Sequence, residues 1–309
     1  MDIAIYLVNV VILITAGVTI ANIVLESNLM RKLSPLMKPF CRASNLPKEG
    51  TFSLFAAFFN PTAGKATLAG FYREGKISDK ATILTVVMST FPIVAGESLF
   101  RVHAPIALVL LGPFIGGIYI SLTLFSSFLQ TFAAFLYAKF QLPPKACADK
   151  ELYLNIDEIS QNQRLKTALT KSFSTLKRVI PIMIVSFLVV QFLFKLGIMN
   201  YISLLFDPVL SVLGLPGECI TALIADLAHF SAGYAIVAAL LTEGGITAKQ
   251  AILTLLIGSM LIITLVYLKY SLSMYISLFG KLGVKITAIN YMCSMISKVF
   301  VILLVVVLM

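Results

Sequence analysis

The chain has 309 residues, of which 59% are hydrophobic and 12% are charged, and its mean hydropathy is +0.97. A soluble domain carries about 25% charged residues, so this composition excludes an ordinary soluble protein and predicts an all-α polytopic membrane protein whose main partner is the lipid bilayer. The net charge of +10 would indicate nucleic acid in a soluble protein. In a membrane protein it reflects basic residues that collect in cytoplasmic loops, so we expect no nucleic-acid partner.

The two halves of the chain carry the same motifs at positions 169 residues apart. The matching motifs are Leu46-Pro47-x-Glu49 with Leu215-Pro216-x-Glu218, Ala63-Gly64 with Ala232-Gly233, and Glu74-Gly75-x-Ile77 with Glu243-Gly244-x-Ile246. A duplicated half in an apolar chain is typical of transporters. We therefore predict two transmembrane repeats, residues 1–138 and 179–309, joined by a polar linker over residues 139–178.

Each repeat shows the same order of predicted elements. A spanning helix comes first, Ile3–Leu25 and then Val179–Phe194 in the second copy, followed by amphipathic stretches at Leu29–Ala43 and Tyr201–Leu213. An interrupted segment follows, Gly50–Tyr72 and Cys219–Leu241, and then a spanning helix, Ala81–Leu99 and Gln250–Leu268. The last helices are Ile118–Tyr137, after a short ambiguous piece at Ala104–Pro113, and Thr287–Leu308. Each repeat thus has about three spanning helices.

Helix breakers and polar residues occupy the centre of each interrupted segment. The centres are Asn60-Pro61-Thr62-Ala63-Gly64-Lys65 and His229-Phe230-Ser231-Ala232-Gly233-Tyr234. Each apolar flank has only about ten residues, which is too short to cross a bilayer at 1.5 Å per residue. We therefore predict a broken helix or re-entrant helical hairpin, which membranes tolerate only beside protein or a water-filled cavity.

The basic residues test whether the repeats have opposite orientations. If each repeat crosses three times and its hairpin returns to its own side, the inside segments carry 19 of the 24 basic residues and the outside segments carry only Arg101, Lys195 and Lys249. This asymmetry favours inverted-topology repeats in the cell membrane. It places both termini outside and the linker, residues 139–178, in the cytoplasm.

Polar groups inside hydrocarbon are costly, so those at the two centres are candidates for substrate binding. They are Asn60, Thr62, Gly64, Lys65, Thr67, His229, Ser231, Gly233 and Tyr234. Half-helix ends attract polar solute groups. The alternative is that these residues only satisfy a kink and allow close helix packing.

Asp226 and Glu97 are candidates for ion coupling, because a buried carboxylate can bind H⁺ or Na⁺. The residue that corresponds to Asp226 in the first repeat is Ala57, so this charge breaks the symmetry. An internal salt bridge, for example with Lys65, is the alternative. His229, three residues after Asp226, belongs either to a proton relay or to ordinary packing.

The repeated Leu-Pro-x-Glu start, the small-residue polar cores and the Glu-Gly-x-Ile-x-x-Lys ending resemble the nucleoside-recognition, or Gate, domain family. Related domains occur in concentrative nucleoside transporters, in ferrous-iron transport protein B and in spore maturation proteins A and B. The resemblance implies paired gates and solute movement, and it leaves the solute open.

We therefore predict a secondary transporter that moves a small polar solute, nucleoside-like or other, by alternating access between its repeats. Coupling to H⁺ or Na⁺ and assembly as a homodimer are compatible with the sequence. The alternative is a non-transporting membrane component that docks a partner protein. No reactive pair, metal-ligand motif or cofactor motif is present in the sequence, so we expect neither an enzyme, nor a metal site, nor a cofactor.

Overall fold

The structure is a computed structural model that describes residues 39–143 except 101–102, residues 215–309 except 229, and isolated positions at 12, 15, 19 and between 165 and 181. These residues are helical, with short turns and no strand, which confirms the all-α prediction for this part of the chain. Four predicted elements lie outside it, apart from short or isolated portions: Ile3–Leu25, Leu29–Ala43, Val179–Phe194 and Tyr201–Leu213. The same is true of most of the linker.

The first interrupted segment is a pair of helices, α1 (Lys48–Phe59) and α2 (Pro61–Arg73). Asn60 separates them with extended backbone, and its Oδ1 accepts hydrogen bonds from the amides of Thr62 and Ala63, both at 3.0 Å. Pro61 has no N–H group and suits the first position of a helix, whereas it cannot extend α1. The predicted interruption is therefore confirmed.

The next predicted spanning helix, Ala81–Leu99, is wrong as a single helix. Two helices are present, α3 (Asp79–Met88) and α4 (Thr90–Phe100), with Ser89 between them. Pro92 cannot donate to the carbonyl of Met88 four residues earlier. Thr131 compensates, because its hydroxyl donates to that carbonyl at 3.1 Å and accepts from the amide of Phe91 at 3.0 Å.

The short piece predicted at Ala104–Pro113 is helix α5 (His103–Leu110), and α6 (Gly112–Gln141) follows it. In the second half, the interrupted segment forms α7 (Glu218–Ala228) and α8 (Phe230–Thr242). A long helix then runs through α9 (Ala248–Val266), a π-helical turn (Tyr267–Ser271) and α10 (Leu272–Phe279). The last helix is α11 (Lys281–Leu308).

Three helices of the described residues are long and apolar enough to cross a membrane: Gly112–Gln141, Ala248–Phe279 and Lys281–Leu308. All three are longer than the sequence predicted. Large apolar side chains are exposed on them, including Phe114 (71% exposed), Phe140 (79%) and Val307 (81%). Water disfavours such surfaces, whereas lipid accepts them.

The two halves repeat their local structure as well as their sequence. Gly75 (φ 69°) and Gly244 (φ 74°) take the left-handed conformation at equivalent turns, where a side chain would be strained. Three residues later, Ser78 caps α3 through the amide of Ala81, and Thr247 caps α9 through the amide of Gln250. Each hairpin also packs on the helix that follows its turn.

The described residues group into two compact units. Unit 1 comprises those within Met1–Ile93, Thr131–Ser186 and Met274–Asn290, and it contains the α1–α2 hairpin. Unit 2 comprises those within Val94–Gln130, Phe187–Ser273 and Tyr291–Met309, and it contains the α7–α8 hairpin. The core of unit 2 is built around fully buried aliphatic side chains such as Ile252, Leu256, Ile257 and Val301.

Candidate functional site

Unit 2 contains a cavity of about 190 Å³ beside the start of α8. Six helices contribute its walls, so no single stretch of sequence encodes it. The lining residues are Val94 from α4, His103 from α5, Tyr119, Ile120 and Thr123 from α6, Phe230 and Tyr234 from α8, Ser259, Ile262 and Ile263 from α9, and Lys298 from α11.

Three hydrogen-bonding side chains meet on one wall of the cavity. The hydroxyl of Tyr234 donates to the hydroxyl of Tyr119 at 3.2 Å and lies 3.3 Å from Nδ1 of His103. The ring of Phe230 packs 4.4 Å from the ring of His103 and 5.6 Å from that of Tyr234. Phe230 and Tyr234 are four residues apart on α8 and therefore share one face of it.

Lys298 places a basic group in the cavity. Its side chain is 5% exposed, and its Nζ donates to Oγ of Ser259 at 2.7 Å. Ser259 in turn donates to the carbonyl of Leu256 at 2.6 Å, one turn back on α9. A lysine inside an apolar helix bundle is costly and is typical of a functional position.

Asp226 lies directly behind this wall. It is 6% exposed, and its Oδ1 has no hydrogen-bond partner among the described residues. Its carboxyl group packs against Gly233 of α8 and Gly258 of α9, where an added Cβ would collide with it. Those two glycines immediately precede Tyr234 and Ser259, so the carboxylate adjoins the backbone that carries two cavity residues.

The nucleoside-recognition (Gate) family model matches the chain twice, over residues 7–109 and 176–283. The chain belongs to the Gate family. The two matches begin 169 residues apart, which is the offset of the internal repeat.

Two relatives of this Gate chain match it over nearly its whole length. Uncharacterized protein MJ0880 of Methanocaldococcus jannaschii is 43% identical over 98% of each chain. MJ0871 of the same organism is 28% identical over 97% of this chain and 93% of its own. Inner membrane protein YjiG of Escherichia coli is 31% identical over a shorter region, 22% of this chain and 44% of that protein. No solved structure matches the chain.

The substrate-binding candidates from the first Gate repeat lie in unit 1, where most of them have local partners. Asn60 caps α2, and Oγ1 of Thr67 donates to the carbonyl of Ala63 at 2.8 Å. At Gly64 the helices α1 and α2 approach closely, since an added Cβ would lie 2.5 Å from that of Ala57. Nζ of Lys65 lies 5.2 Å from the centre of the Tyr275 ring. Thr62 is half-buried.

Among the candidates from the second repeat, the structure brings Asp226, Gly233 and Tyr234 together in unit 2. His229 lies outside the described residues. Ser231 is in the first turn of α8 and Glu97 is in α4, and the side chains of both are also outside the description.

Sequence reasoning missed His103, Tyr119 and Thr123 as site residues. His103 is one of only two histidines in the chain, and Tyr119 and Thr123 are polar residues within an apolar helix. Polar side chains inside hydrocarbon are costly, so these three residues are site candidates for the same reason as Asp226. Lys298 and Ser259 are noticeable in the sequence for the same reason, but only the structure shows that they meet.

Proposed function

We propose that this membrane protein is a secondary transporter and not an enzyme, and that its solute site is the cavity of unit 2. The observation that carries the proposal is the convergence of His103, Tyr119, Tyr234 and Lys298 on one cavity inside an apolar helix bundle. Ligand sites are concave, mostly apolar and furnished with a few convergent polar groups, and this cavity has that composition.

In this proposal the α7–α8 hairpin acts as a gate. Its second helix carries Phe230 and Tyr234, so a movement of the hairpin would open or close one wall of the cavity. The solute exchanges hydrogen bonds with the hydroxyls of Tyr119, Thr123 and Tyr234 and with His103. The two Gate repeats are inverted in the membrane and rock against each other, which exposes the site alternately to each side.

Asp226 is the proposed coupling residue. A bare carboxylate oxygen inside an apolar core favours uptake of a cation, either H⁺ or Na⁺. The carboxyl group packs against the two glycines that precede Tyr234 and Ser259. Cation binding at Asp226 would therefore shift the backbone that carries these two cavity residues. The relative named Inner membrane protein YjiG supports a location in the cell membrane.

Uptake by liposomes that contain the purified chain tests the transporter. The panel comprises radiolabelled nucleosides, nucleobases and small organic anions under a proton or a sodium gradient. At least one solute should accumulate, and Tyr234→Phe should reduce that uptake about tenfold, because one net hydrogen bond to a polar ligand is worth about 1.4 kcal/mol.

Tyr137→Phe is the matched control, because Tyr137 is on α6 and 56% exposed. Uptake by this variant should equal that of the wild type. Absence of uptake for the whole panel, together with a stably co-purifying second protein, would contradict transport and favour the docking component.

The inverted arrangement of the two repeats is tested by cysteine labelling. Single cysteines in residues 45–50 and 214–219 should react with impermeant reagents from opposite sides of the membrane.

A further inference from the structure

The cavity of unit 2 holds a basic group, Lys298, that has no carboxylate beside it among the described lining residues. An ammonium has three N–H donors, and among the described residues Nζ of Lys298 has one hydrogen-bond partner, the hydroxyl of Ser259. The described lining residues include neither Asp nor Glu. A buried charge is stable only when it is paired and hydrogen-bonded, so Lys298 is suited to a partner that enters the cavity.

Asp226 is a buried carboxylate of the same unit. It makes no hydrogen bond or ion pair with Lys298, and its carboxyl group is enclosed by Gly233 and Gly258. It is not among the residues that line the cavity. Asp226 therefore lies outside the cavity, whereas the ammonium of Lys298 lines it.

The remaining groups around the cavity are suited to the rest of such a partner. Thr123 contributes a hydroxyl that has no hydrogen-bond partner among the described residues, and Tyr119 contributes a hydroxyl that accepts from Tyr234 and can still donate. The other walls are apolar and are formed by Val94, Ile120, Phe230, Ile262 and Ile263. At about 190 Å³, the cavity is smaller than the roughly 300–1,000 Å³ of pockets that hold drug-sized ligands.

We propose that the solute is a small organic anion whose charged group binds Nζ of Lys298 and whose apolar or aromatic body lies against Phe230 and the isoleucines. This inference rests on the proposed function, because it names the solute class of the same site. It assigns Lys298 and Ser259 as the pair that selects an anion, with Ser259 holding the ammonium in position.

Matched pairs of ring compounds test the inference on the detergent-solubilised full chain. Benzoate and benzamide, and nicotinate and nicotinamide, differ in charge and scarcely in shape. Isothermal titration should show that each anion binds about 10- to 100-fold more tightly than its neutral partner, which is the usual value of a hydrogen bond to a charged group. Thermal unfolding should show a higher midpoint with the anions.

The variant Lys298→Gln should lose this preference by the same factor, and Lys298→Arg should keep it. Lys249→Gln is the matched control, because Lys249 is on α9 of the same unit and its Nζ donates to the carbonyl of Val306 away from the cavity. If Lys298→Gln fails to fold, Ser259→Ala replaces it and should weaken anion binding while leaving the neutral partners unaffected.

Three results would overturn the inference: equal binding of the charged and neutral compounds, unchanged anion binding by Lys298→Gln, or no binding by either pair. Liposome uptake separates this failure from failure of the proposed function. Uptake of a neutral nucleoside that survives Lys298→Gln would leave the transporter intact and remove only the anion. Anion binding without uptake of any solute would keep the anion site and contradict the transporter.

Discussion

The two hairpins have the same scaffold but different chemistry. In unit 1, Gly64 of α2 packs on Ala57 of α1, whereas in unit 2 the equivalent Gly233 packs on Asp226. The next position is Lys65 in the first hairpin, over an aromatic ring, and Tyr234 in the second, on the cavity wall. The glycine allows close helix packing in both hairpins, while the residue opposite it is apolar in one copy and acidic in the other.

The same contrast holds one helix further along the chain. Thr90 begins α4 in the first half, and its hydroxyl lies 3.4 Å from Oδ1 of Asn290. The equivalent Ser259 holds the charged Lys298 at 2.7 Å. At these two equivalent positions, unit 1 has the neutral partners Ala57 and Asn290, whereas unit 2 has the ionisable Asp226 and Lys298.

The largest effect is expected from moving the carboxylate to the first hairpin. Ala57 is 1% exposed, so Ala57→Asp introduces a buried charge without a built partner and should destabilise the protein by about 3–5 kcal/mol. The thermal midpoint in detergent measures this, and Ala57→Ser is the control. Wild-type stability of Ala57→Asp would show that the two hairpins are interchangeable.

A smaller loss should follow when the shared glycine is filled. In Gly64→Val, the new Cβ would lie 2.6 Å from the backbone of Ala57, which cannot move aside as a side chain can. Overpacking of this kind costs about 1–3 kcal/mol. At Gly70 on the same helix an added Cβ meets nothing within 4 Å, so Gly70→Ala should be neutral or stabilising. Equal effects at the two glycines would remove the packing role of Gly64.

The smallest effect concerns the turn of the first hairpin. Asn60→Ala removes the cap of α2 and should cost about 1 kcal/mol, whereas Asn60→Ser, which can still accept from the same amides, should cost less. Chemical unfolding in detergent measures the difference. If both variants keep wild-type stability and Asn60→Ala instead loses solute uptake, Asn60 is a binding residue and not a cap.

The sequence was sufficient for the features that depend on local chemistry. Asn60 and Pro61 predict a helix end, because capping and the missing N–H of proline act within a few residues. Gly64 and Gly233 were candidates for substrate binding with close helix packing as the alternative, and close packing is what the structure shows at both. The break at Ser89 was not predicted. Pro92 cannot donate to the carbonyl of Met88, but the sequence does not show which group donates instead. Thr131, forty residues later, supplies that hydrogen bond.

The site was less predictable than the hairpins for the same reason. Tyr234 and Asp226 stood out as polar residues beside an interruption. His103, Tyr119 and Lys298 come from three other helices, and only their packing brings them to one cavity. A local pattern shows that such a residue is unusual, but it does not show which residues it meets.

Gradient-driven accumulation by Asp226→Asn in liposomes tests most directly whether the second hairpin carries the coupling chemistry. The variant should exchange solute across the membrane but accumulate none above equilibrium under either a proton or a sodium gradient. Asp79→Asn, at an exposed carboxylate in the first turn of α3, should accumulate solute like the wild type. Undiminished accumulation by Asp226→Asn would contradict the assignment.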